Sequence, residues 1–456
     1  MLLIIKEIIQ AVNGKAINCS SETIVKHIAR KIVDIRKGSL FIPYTKSTPI
    51  TKELIELACQ KGAAAVIIPK EINSSVPEII VEDTNIACKK IYKYYRSKFK
   101  IPVIAVTGSA GKTSTKDMIA LVLMQKFKVS KTIGNDNDNK GTIRTLLRMN
   151  NTHEAAVFEM GVGTYSQMQE KADIVRPNIS VITNISTAHI GVMGSKENIL
   201  KAKLEITKFF DDKSILIINN DDEYLSAIKD KPFKIIKVST KGNGDYNAFD
   251  IVDNGQDGVE FKCNFKGEPH LFKLNIPGTH FIYSALVTIA VGEILGLNIK
   301  VIKKGIEAFR PYKLRMNILE LKDNIKIIVD CYNANLLSMK AGIDSLSSFK
   351  GNRKIALLGD ILEQGKYSED VHRDIGKYLA GKCDILIAVG KDSKYIFEEA
   401  KVHTETYYCE TKESACETLN KIVTKNDVIL IKGSRGMHME EIVKHLSKIF
   451  ANHKEI

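Results

Sequence analysis

The sequence predicts an α/β protein of three domains, in which the central domain is built on a mostly parallel sheet. Strands and helices alternate from residue 100 to about residue 311, which is typical of such a sheet. A second alternating unit covers residues 312–456 and indicates a Rossmann-like α/β domain, although it contains no G-x-G-x-x-G motif. A smaller α/β pattern over residues 1–99 precedes both.

The first two domains show their elements in chain order. In the first, residues 39–43 and 64–68 have the pattern of strands, residues 52–61 that of an amphipathic helix and residues 89–98 that of a basic helix. In the central domain we expect strands over residues 103–106, 155–158 and 179–182, a helix capped by Ser195 and continuing to Phe210, a β-rich stretch over 236–277 and a helix to Leu295.

The last domain is predicted from four short apolar runs separated by helical patterns. We expect its strands over residues 325–329, 355–358, 385–389 and 428–431.

Composition limits the class of protein. A chain of 456 residues with 44% hydrophobic and 26% charged residues is typical of a soluble globular protein. The net charge of +14 favours anionic ligands such as nucleotides, whereas nucleic acid is a weaker interpretation because the lysines are spread along the chain. Eight cysteines without a C-x-x-C pair predict neither a zinc site nor disulfides, which fits a reducing cytoplasm. We expect no membrane insertion, and the apolar first residues indicate a strand or helix rather than a signal peptide.

A short phosphate-binding loop follows the first strand of the central domain. The strand ends at Thr107, and T-G-x-x-G-K-T leads into a helix that begins near Lys112. Gly108 and Gly111 lack a Cβ, so backbone N–H groups can turn toward an anion, while Lys112 adds charge and the Thr113 hydroxyl can reach magnesium. The longer standard motif would need a glycine where the chain has Val106, so an ordinary strand–helix turn is the alternative.

Several polar residues after other strands have both a functional and an ordinary interpretation. Glu159 could hold magnesium or be a surface acid, and His189 could be a ligand or a hydrogen-bonded structural histidine. Lys203, taken alone, is a helix lysine with a solvated head. Residues 330–335 could form an Asx-rich turn, and residues 432–435 either an anion-binding turn or a charged loop.

The order of these segments along the chain closely resembles the Mur ligases, and the resemblance covers essentially the whole chain. The segments that carry it are TGSAGKTSTKDM (107–118), GNDNDNKG (134–141), FEMGVG (158–163), TNISTAHIGVMGS (183–195), KAKLEI (201–206), PGTH (277–280), DCYNANLLSM (330–339), LGDILEQG (358–365) and IKGSRGMHME (431–440). The Y-N-A-N, L-G-D-x-x-E-x-G and K-G-S-R segments are similar to the branch that adds D-alanyl-D-alanine to UDP-N-acetylmuramoyl tripeptide in peptidoglycan synthesis.

The resemblance implies an ATP-dependent amide ligase that works through an acyl phosphate. Residues 1–99 would hold the UDP-sugar acceptor, residues 100–311 ATP, and residues 312–456 the incoming amine. The implied cofactors are ATP and two Mg²⁺ ions, and the implied partners are small-molecule substrates. The resemblance also implies a cytoplasmic monomer that binds no nucleic acid. Two alternatives stay open: a related ligase with another carboxylate acceptor and amine, and a non-catalytic nucleotide-binding scaffold. A folate-type polyglutamate ligase is disfavoured by the Y-N-A-N and K-G-S-R segments.

The resemblance also implies residue roles. Catalytic roles fall on Lys112, Asn137, His189 and Lys203, the last of which is carbamylated in many members. Magnesium ligands would be Thr113, Glu159, His189 and Lys203. Nucleotide-binding residues would be Gly108, Ser109, Ala110, Gly111, Lys112, Thr113, Ser114, Asn135, His280, Arg315, Asp330, Asn333 and Asn335. Lys432, Ser434 and Arg435 would lie near the incoming dipeptide.

The chain also departs from the family pattern at particular positions. Asp138 replaces an asparagine in the G-N-x-N-N segment, Ser284 replaces the asparagine associated with adenine, and Leu314 replaces a glycine before the hinge arginine. In the first domain, the D-S-R segment and the D-G-H segment expected near residues 47–52 are not recognisable. The acceptor domain is therefore the most divergent part of the chain.

Overall fold

A computed structural model describes residues 2–44, 49–72 and 74–451. Its three main sheets have five, nine and six strands, and a two-stranded ribbon lies beside the first. The predicted α/β class with mostly parallel sheets is confirmed, and the predicted domain boundaries at 99/100 and 311/312 stay predictions. The missing D-G-H segment was expected partly at residues 47 and 48, which lie outside the described residues. In the described parts of the chain we find no helix with the length and apolar character needed to span a membrane.

The first sheet has the strand order β2-β7-β6-β5-β4, and β1 pairs with β3 in the ribbon. The strands β4 to β7 run parallel, whereas β2 is antiparallel to β7. The strands are β1 (Leu3–Ile4), β2 (Lys15–Ile17), β3 (Ile24–Val25), β4 (His27–Ala29), β5 (Ser39–Phe41), β6 (Ala63–Ile68) and β7 (Glu78–Ile80), and the helices are α1 (Ile5–Val12), α2 (Lys52–Gln60) and α3 (Thr84–Ser97).

The central sheet has the strand order β16-β15-β14-β13-β12-β11-β8-β10-β9. Its strands are β8 (Val103–Thr107), β9 (Val129–Lys131), β10 (Ala155–Glu159), β11 (Ile179–Ile182), β12 (Ile215–Asn219), β13 (Lys234–Ser239), β14 (Tyr246–Asp253), β15 (Val259–Phe265) and β16 (Glu268–Leu274). Its helices are α4 (Lys112–Leu123), α5 (Asn139–Arg148), α6 (Gln167–Val175), α7 (Ile190–Met193), α8 (Lys196–Leu204), α9 (Glu223–Ser226), α10 (Phe281–Ile294) and α11 (Ile299–Glu307).

The position of β8 inside the central sheet determines where polar groups gather. This strand is fully buried and lies between β10 and β11, parallel to both. The carboxyl ends of these three strands therefore meet at one edge, where Thr107, Glu159 and Ile182 end their strands. In open α/β sheets, ligands bind at this edge.

The third sheet has the strand order β17-β18-β22-β19-β20-β21, and only β17 is antiparallel to its neighbour. Its strands are β17 (Asn317–Glu320), β18 (Lys326–Val329), β19 (Lys354–Gly359), β20 (Ile385–Val389), β21 (Glu405–Cys409) and β22 (Val428–Lys432). Its helices are α12 (Leu336–Ser348), α13 (Ser368–Tyr378), α14 (Lys394–Ala400), α15 (Lys412–Ile422) and α16 (Glu440–Ile449).

Two expectations about local structure need correction. The helix capped by Ser195 does not continue to Phe210: α8 ends at Leu204, and a 3₁₀ turn covers Glu205–Thr207. The Ser195 hydroxyl does accept a hydrogen bond from the Asn198 amide, as its capping role requires. The four strands expected in the last domain are joined by two edge strands, β17 and β21, whose half-buried residues lack the apolar runs that identify central strands.

Candidate active site

A cavity of about 970 Å³ lies at the carboxyl edge of the central sheet and is also lined by residues of the C-terminal sheet. Most of the predicted site residues line it together: Ser109, Ala110, Gly111, Lys112, Thr113, Ser114, Asn135, Asn137, Glu159, His189, His280, Arg315, Asp330, Asn333, Asn335 and Lys432. Four predicted residues do not line it: Gly108, Lys203, Ser434 and Arg435.

The loop between β8 and α4 requires glycine at two positions for different reasons. Gly108 has a φ of +144°, and a Cβ there would lie 1.9 Å from the Thr183 hydroxyl oxygen. Gly111 has a φ of +77°, and a Cβ there would meet no heavy atom within 4 Å. Gly108 therefore permits close packing, while Gly111 turns the chain into α4. The unpaired N–H groups of the first turn of α4 form an anion-binding end.

Asn184, just beyond β11, holds this loop from the other side. Its backbone carbonyl accepts from the Ser109 amide at 3.0 Å, and its side-chain oxygen accepts from the Ala110 amide at 2.8 Å. No role was predicted for Asn184 from the sequence. Its place directly after a buried parallel strand is the signal that could have identified it.

The Lys112 side chain folds back over the loop. Its ammonium donates to the carbonyl oxygens of Gly108 at 2.8 Å and Ser109 at 3.4 Å. Burial lowers the pKa of this lysine, and the Glu159 carboxylate opposes that shift. The ammonium is thus positioned by weak neutral acceptors, which an anionic phosphate can replace with a stronger, charge-assisted bond.

Glu159 is buried at the end of β10 and uses one carboxylate oxygen for protein contacts. Its Oε1 accepts from the Thr113 hydroxyl at 3.1 Å and from the Asn137 amide at 2.7 Å. Its Oε2 is buried without a hydrogen-bond partner among the described residues. A buried anionic oxygen without a partner is costly, and a magnesium ion would satisfy it. The donor set therefore fits magnesium.

Protein carboxylates alone do not complete such a metal site. The described parts of the chain contain no group of three His, Cys, Asp or Glu side chains that could hold a metal ion. Magnesium commonly binds to one or two protein oxygen ligands together with substrate phosphates and water. A single glutamate and a threonine hydroxyl beside a phosphate loop match that pattern.

Lys203 is only 2% exposed, and its ammonium makes no hydrogen bond or ion pair within the described ranges. Burial, reinforced by the neighbouring positive charges of Lys112 and Lys171, lowers its pKa well below the usual value. Burial therefore favours loss of the ammonium proton, and the neutral amine is the nucleophilic form. A lysine in this state is unlike the solvated helix lysine of the alternative interpretation.

His189 connects the central domain to the C-terminal domain. Its Nδ1 lies 2.7 Å from the Oε2 atom of Glu363, which belongs to the turn after β19. Burial lowers the pKa of His189, Lys112 and Lys203 add to that effect, and the Glu363 carboxylate opposes it. The Glu363 contact orients the imidazole ring at the cavity wall.

Two further C-terminal side chains reach the phosphate loop directly. The guanidinium group of Arg315 donates to the Thr113 hydroxyl at 3.2 Å and stacks over the Tyr332 ring at 4.1 Å. The side-chain amide of Asn335 donates to the Ser109 carbonyl at 3.3 Å. The C-terminal domain therefore contacts the loop at two points in this arrangement.

The three C-terminal residues expected near the incoming dipeptide differ from one another in burial and in hydrogen-bond partners. The Lys432 ammonium is buried and lies 2.5 Å from the Asp330 carboxylate, and it also donates to the Asn333 carbonyl at 3.3 Å. The Ser434 hydroxyl is buried and accepts from the Leu362 amide, while Arg435 is exposed and pairs with Glu440 at 2.8 Å. Lys432 thus braces the turn that carries Asp330 and Asn333.

Two of the departures from the family pattern have local structural roles. Asp138 is the N-cap of α5, and its carboxylate accepts from the Gly141 amide at 2.7 Å. Ser284 forms a hydrogen bond with the Thr115 hydroxyl at 2.8 Å. At a third departure the backbone is strained, because Leu314 has a φ of +64°, which lies in a region that favours glycine.

Several polar residues that line the cavity were not predicted from the sequence. Lys171 of α6 is buried beside Asn137. The Tyr283 hydroxyl, also at the cavity wall, donates to the Asp221 carboxylate at 2.8 Å. None of these residues lies in a segment whose local pattern distinguishes it from an ordinary helix or loop residue.

The protonation of His280 gives a prediction for stability. Burial lowers its pKa from 6.5 to about 4, and Lys432 adds to that shift while Asp330 opposes it. Between these values the unfolded chain binds a proton that the folded protein does not, so the free energy of unfolding falls as the pH falls from 6.5 to 4. At about 1.4 kcal/mol per pKa unit, the full loss is about 3 kcal/mol.

We therefore expect His280→Gln to make the urea midpoint less sensitive to pH over this range. The exposed His403, replaced by glutamine, is the matched control and should leave the pH dependence as it is in the wild type. Equal pH dependence of the His280→Gln variant and the wild type would contradict the assignment.

The contact between the domains gives a second prediction, which concerns Gly191. A Cβ at Gly191 would lie 2.8 Å from the Glu363 carbonyl oxygen and 2.9 Å from the Gly365 nitrogen. The same contact includes a hydrogen bond of 2.7 Å from the Tyr367 hydroxyl to the Gly194 carbonyl. Because both obstructing atoms belong to the backbone, Gly191→Ala should move α7 away from the segment that contains Glu363 and Gly365. We expect the radius of gyration measured by X-ray scattering in solution to increase.

Gly163→Ala is the control for this measurement, because a Cβ at Gly163 would meet nothing within 4 Å. Identical scattering curves for the Gly191→Ala variant and the wild type would show that the contact does not hold the domains together.

Comparison with protein families gives two matches. A family model described as the Mur ligase middle domain matches residues 106–292, and one described as the Mur ligase, glutamate ligase domain matches residues 314–435. Together they span the phosphate loop, the central sheet and most of the C-terminal domain.

Individual relatives match over nearly their whole length. The UDP-N-acetylmuramoyl-tripeptide–D-alanyl-D-alanine ligase of Bacillus subtilis strain 168 is 33% identical over 453 residues, covering 97% of this chain and 98% of that protein. The ligase of the same name from Escherichia coli K12 is 30% identical, covering 91% of this chain and 93% of that protein. A crystal structure of MurF from Acinetobacter baumannii has a TM-score of 0.87 at 27% identity, covering 98% of this chain and 99% of that one.

Proposed function

The chain belongs to the Mur ligase family, and from that premise we propose that it is an ATP-dependent ligase joining D-alanyl-D-alanine to UDP-N-acetylmuramoyl tripeptide. The observation that carries the chemistry is Glu159, whose buried Oε2 has no partner among the described residues and lies beside the phosphate loop. The match over 97% of the chain to a ligase named for this reaction supports the choice of substrates.

The proposed reaction has two steps. A carboxylate oxygen of the acceptor attacks the γ-phosphorus of ATP, and ADP leaves to give an acyl phosphate. The amine of the dipeptide then attacks the acyl carbon, phosphate leaves, and the nitrogen loses a proton to give the amide. Such chemistry depends mainly on alignment and neutralisation of charge.

Different residues of this chain would bind the triphosphate and bring the C-terminal domain to it. The N–H groups at the start of α4 and the Lys112 ammonium hold the triphosphate, replacing the loop carbonyls that Lys112 now contacts. Arg315 and Asn335, which already bond to Thr113 and Ser109, bring the C-terminal domain and its bound amine to the phosphate loop. Their contacts couple the closed arrangement of the domains to the nucleotide site.

Magnesium ions bound here would neutralise the charge that moves from the γ-phosphate during transfer. Thr113 and Glu159 would hold one ion, and His189 with a carbamylated Lys203 the other. Support for the modification comes from the Lys203 amine, which is buried and unpaired within the described ranges and whose pKa is lowered by burial and by the charges of Lys112 and Lys171. A neutral amine adds to carbon dioxide and then loses a proton, which converts it into an anionic oxygen ligand.

We further propose that the first domain binds the UDP end of the acceptor and that the enzyme works as a cytoplasmic monomer on small molecules. The divergence of this domain from the D-S-R and D-G-H segments favours one competing candidate, a ligase of the same chemistry with another acceptor. The C-terminal and central sites would serve either reaction.

The deciding experiment is an acceptor screen with product mass as the readout. We expect ADP release that requires both UDP-N-acetylmuramoyl tripeptide and D-alanyl-D-alanine, with a product whose mass equals their sum less one water. ADP release only with other acid–amine pairs would identify the competing ligase. Binding of ATP without turnover of any pair would show a non-catalytic scaffold and overturn the proposal.

A further inference from the structure

Lys171 is a buried lysine to which the scheme above assigns no contact with substrate, nucleotide or metal. It lies on α6, its side chain is 3% exposed, and no carboxylate within the described ranges lies within 4 Å of its ammonium. The ammonium instead donates to two backbone carbonyls, that of Asn137 at 3.0 Å and that of Gly161 over a shorter distance. A buried cation with only neutral partners is expensive, so its retention needs a reason.

The two carbonyls belong to the two segments that form the Glu159 site. Asn137 lies in the loop after β9, and Gly161 lies two residues after Glu159 in the turn after β10. The Gly161 amide also donates to the Asn137 carbonyl at 3.0 Å. A single ammonium group, that of Lys171, therefore links α6 to both segments.

The position of Asn137 determines which oxygen of Glu159 is free. The Asn137 amide donates to Oε1 at 2.7 Å, and Oε2 stays without a partner among the described residues. The packing around Asn137 is tight, since a Cβ at Gly161 would lie 2.5 Å from its side-chain oxygen. If the loop moved away, Asn137 would release Oε1, and the carboxylate could rotate.

We propose that Lys171 is a positioning residue for the ligation reaction: it holds Asn137 against Glu159, so that one carboxylate oxygen is occupied and the other is presented to the magnesium-nucleotide. This inference rests on the proposed function, because it assigns Lys171 a role at that same site. Burial lowers the pKa of Lys171 to about 8, Lys112 adds to that shift and the Asp138 carboxylate opposes it. The ammonium is therefore kept at a cost in desolvation, and its two hydrogen bonds offset part of that cost.

Replacement of Lys171 with methionine tests the proposal, since methionine has similar volume but no donor. We expect kcat to fall about tenfold and the magnesium concentration for half-maximal rate to rise by a similar factor, as is typical when a group supporting a metal ligand is lost. Calorimetry without turnover should give the same shift: magnesium titrated into the protein with a non-hydrolysable ATP analogue should bind about tenfold more weakly.

Lys93→Met is the matched control. Lys93 forms an ion pair of 2.8 Å with Asp173, so this variant loosens the attachment of α6 without affecting the bridge to Asn137. It should keep the kcat and the magnesium affinity of the wild type. If the Lys171→Met variant does not fold, Lys171→Gln, which keeps one donor group, replaces it with the same expected direction.

A double-mutant cycle with Asn137→Ala separates positioning from direct contact with the reacting groups. If Lys171 acts through Asn137, the loss in the double variant should be no larger than in Asn137→Ala alone. Multiplied losses would mean that Lys171 acts independently, and an unchanged magnesium affinity in Lys171→Met would mean that it does not support the site. Either result overturns the proposal. If the wild type shows no turnover but the Lys171→Met variant still binds magnesium more weakly than the wild type, only the proposed function is contradicted.

Discussion

Replacement of Lys112 with methionine is expected to lower kcat by on the order of 10³-fold, the largest effect that we predict for a single side chain. The reason is that this lysine supplies the only side-chain cation within the phosphate loop from Gly108 to Ser114. Methionine fills similar space, so the loop should keep its shape while the charge is lost. The measurement is ADP release at saturating magnesium and substrates.

The control for this variant is Lys126→Met, which removes an exposed lysine three residues beyond the end of α4 and should turn over at the wild-type rate. The free energy of unfolding provides a second check. Within the described part of the chain, the Lys112 ammonium donates to two backbone carbonyls only and is partly desolvated, so its loss should change the free energy of unfolding little. Wild-type turnover by the Lys112→Met variant would place the triphosphate elsewhere.

The second large effect is expected for Lys203→Ala, which should lower kcat by on the order of 10²-fold because an anionic magnesium ligand would be lost. Addition of a short carboxylate, such as acetate, should restore part of the rate, since it can occupy the space of the carbamate. The free energy of unfolding should fall by less than for truncation of an apolar side chain of this size, because loss of the buried methylenes is partly offset by removal of a buried amine that has no partner among the described residues.

Lys201→Ala tests whether the effect belongs to the site or to the helix. Lys201 is exposed on the same helix, two residues away, and its replacement should affect neither the rate nor the response to acetate. Full activity of the Lys203→Ala variant would remove the proposed modification. Loss of activity without rescue would leave Lys203 essential for a reason other than a carboxylate-like group.

The conformation of the loop between β8 and α4 was predictable because its constraints are local. A buried strand, two glycines and a lysine followed by a helix are adjacent in the chain, so the sequence displays them together. Glu159 was predictable for a similar reason: it follows a strand, and parallel strands bring their carboxyl ends to one edge. Its unpartnered oxygen was not predictable, because the two groups that occupy Oε1 come from separate segments, at Thr113 and Asn137.

Errors and omissions in the prediction came from tertiary contacts. Lys171 has no local pattern to distinguish it from an exposed helix lysine, and only the folded chain places its ammonium against Asn137 and Gly161. The contact of His189 with Glu363 joins residues that are distant in sequence, so neither residue predicts the other. The helix after Ser195 ends at Leu204, although its apolar positions continue to Phe210.

By itself, the sequence determined the α/β class, the strand–loop–helix turn around Gly108 and Gly111 and the family, because periodicity and motif order are properties of neighbouring residues. Only the tertiary structure decided which polar groups meet: which oxygen of Glu159 is left without a partner, which lysines are buried, and which C-terminal residues contact the loop. The physical reason is that hydrogen bonding and burial depend on partners brought together by the fold, and those partners lie tens to hundreds of residues apart in this chain.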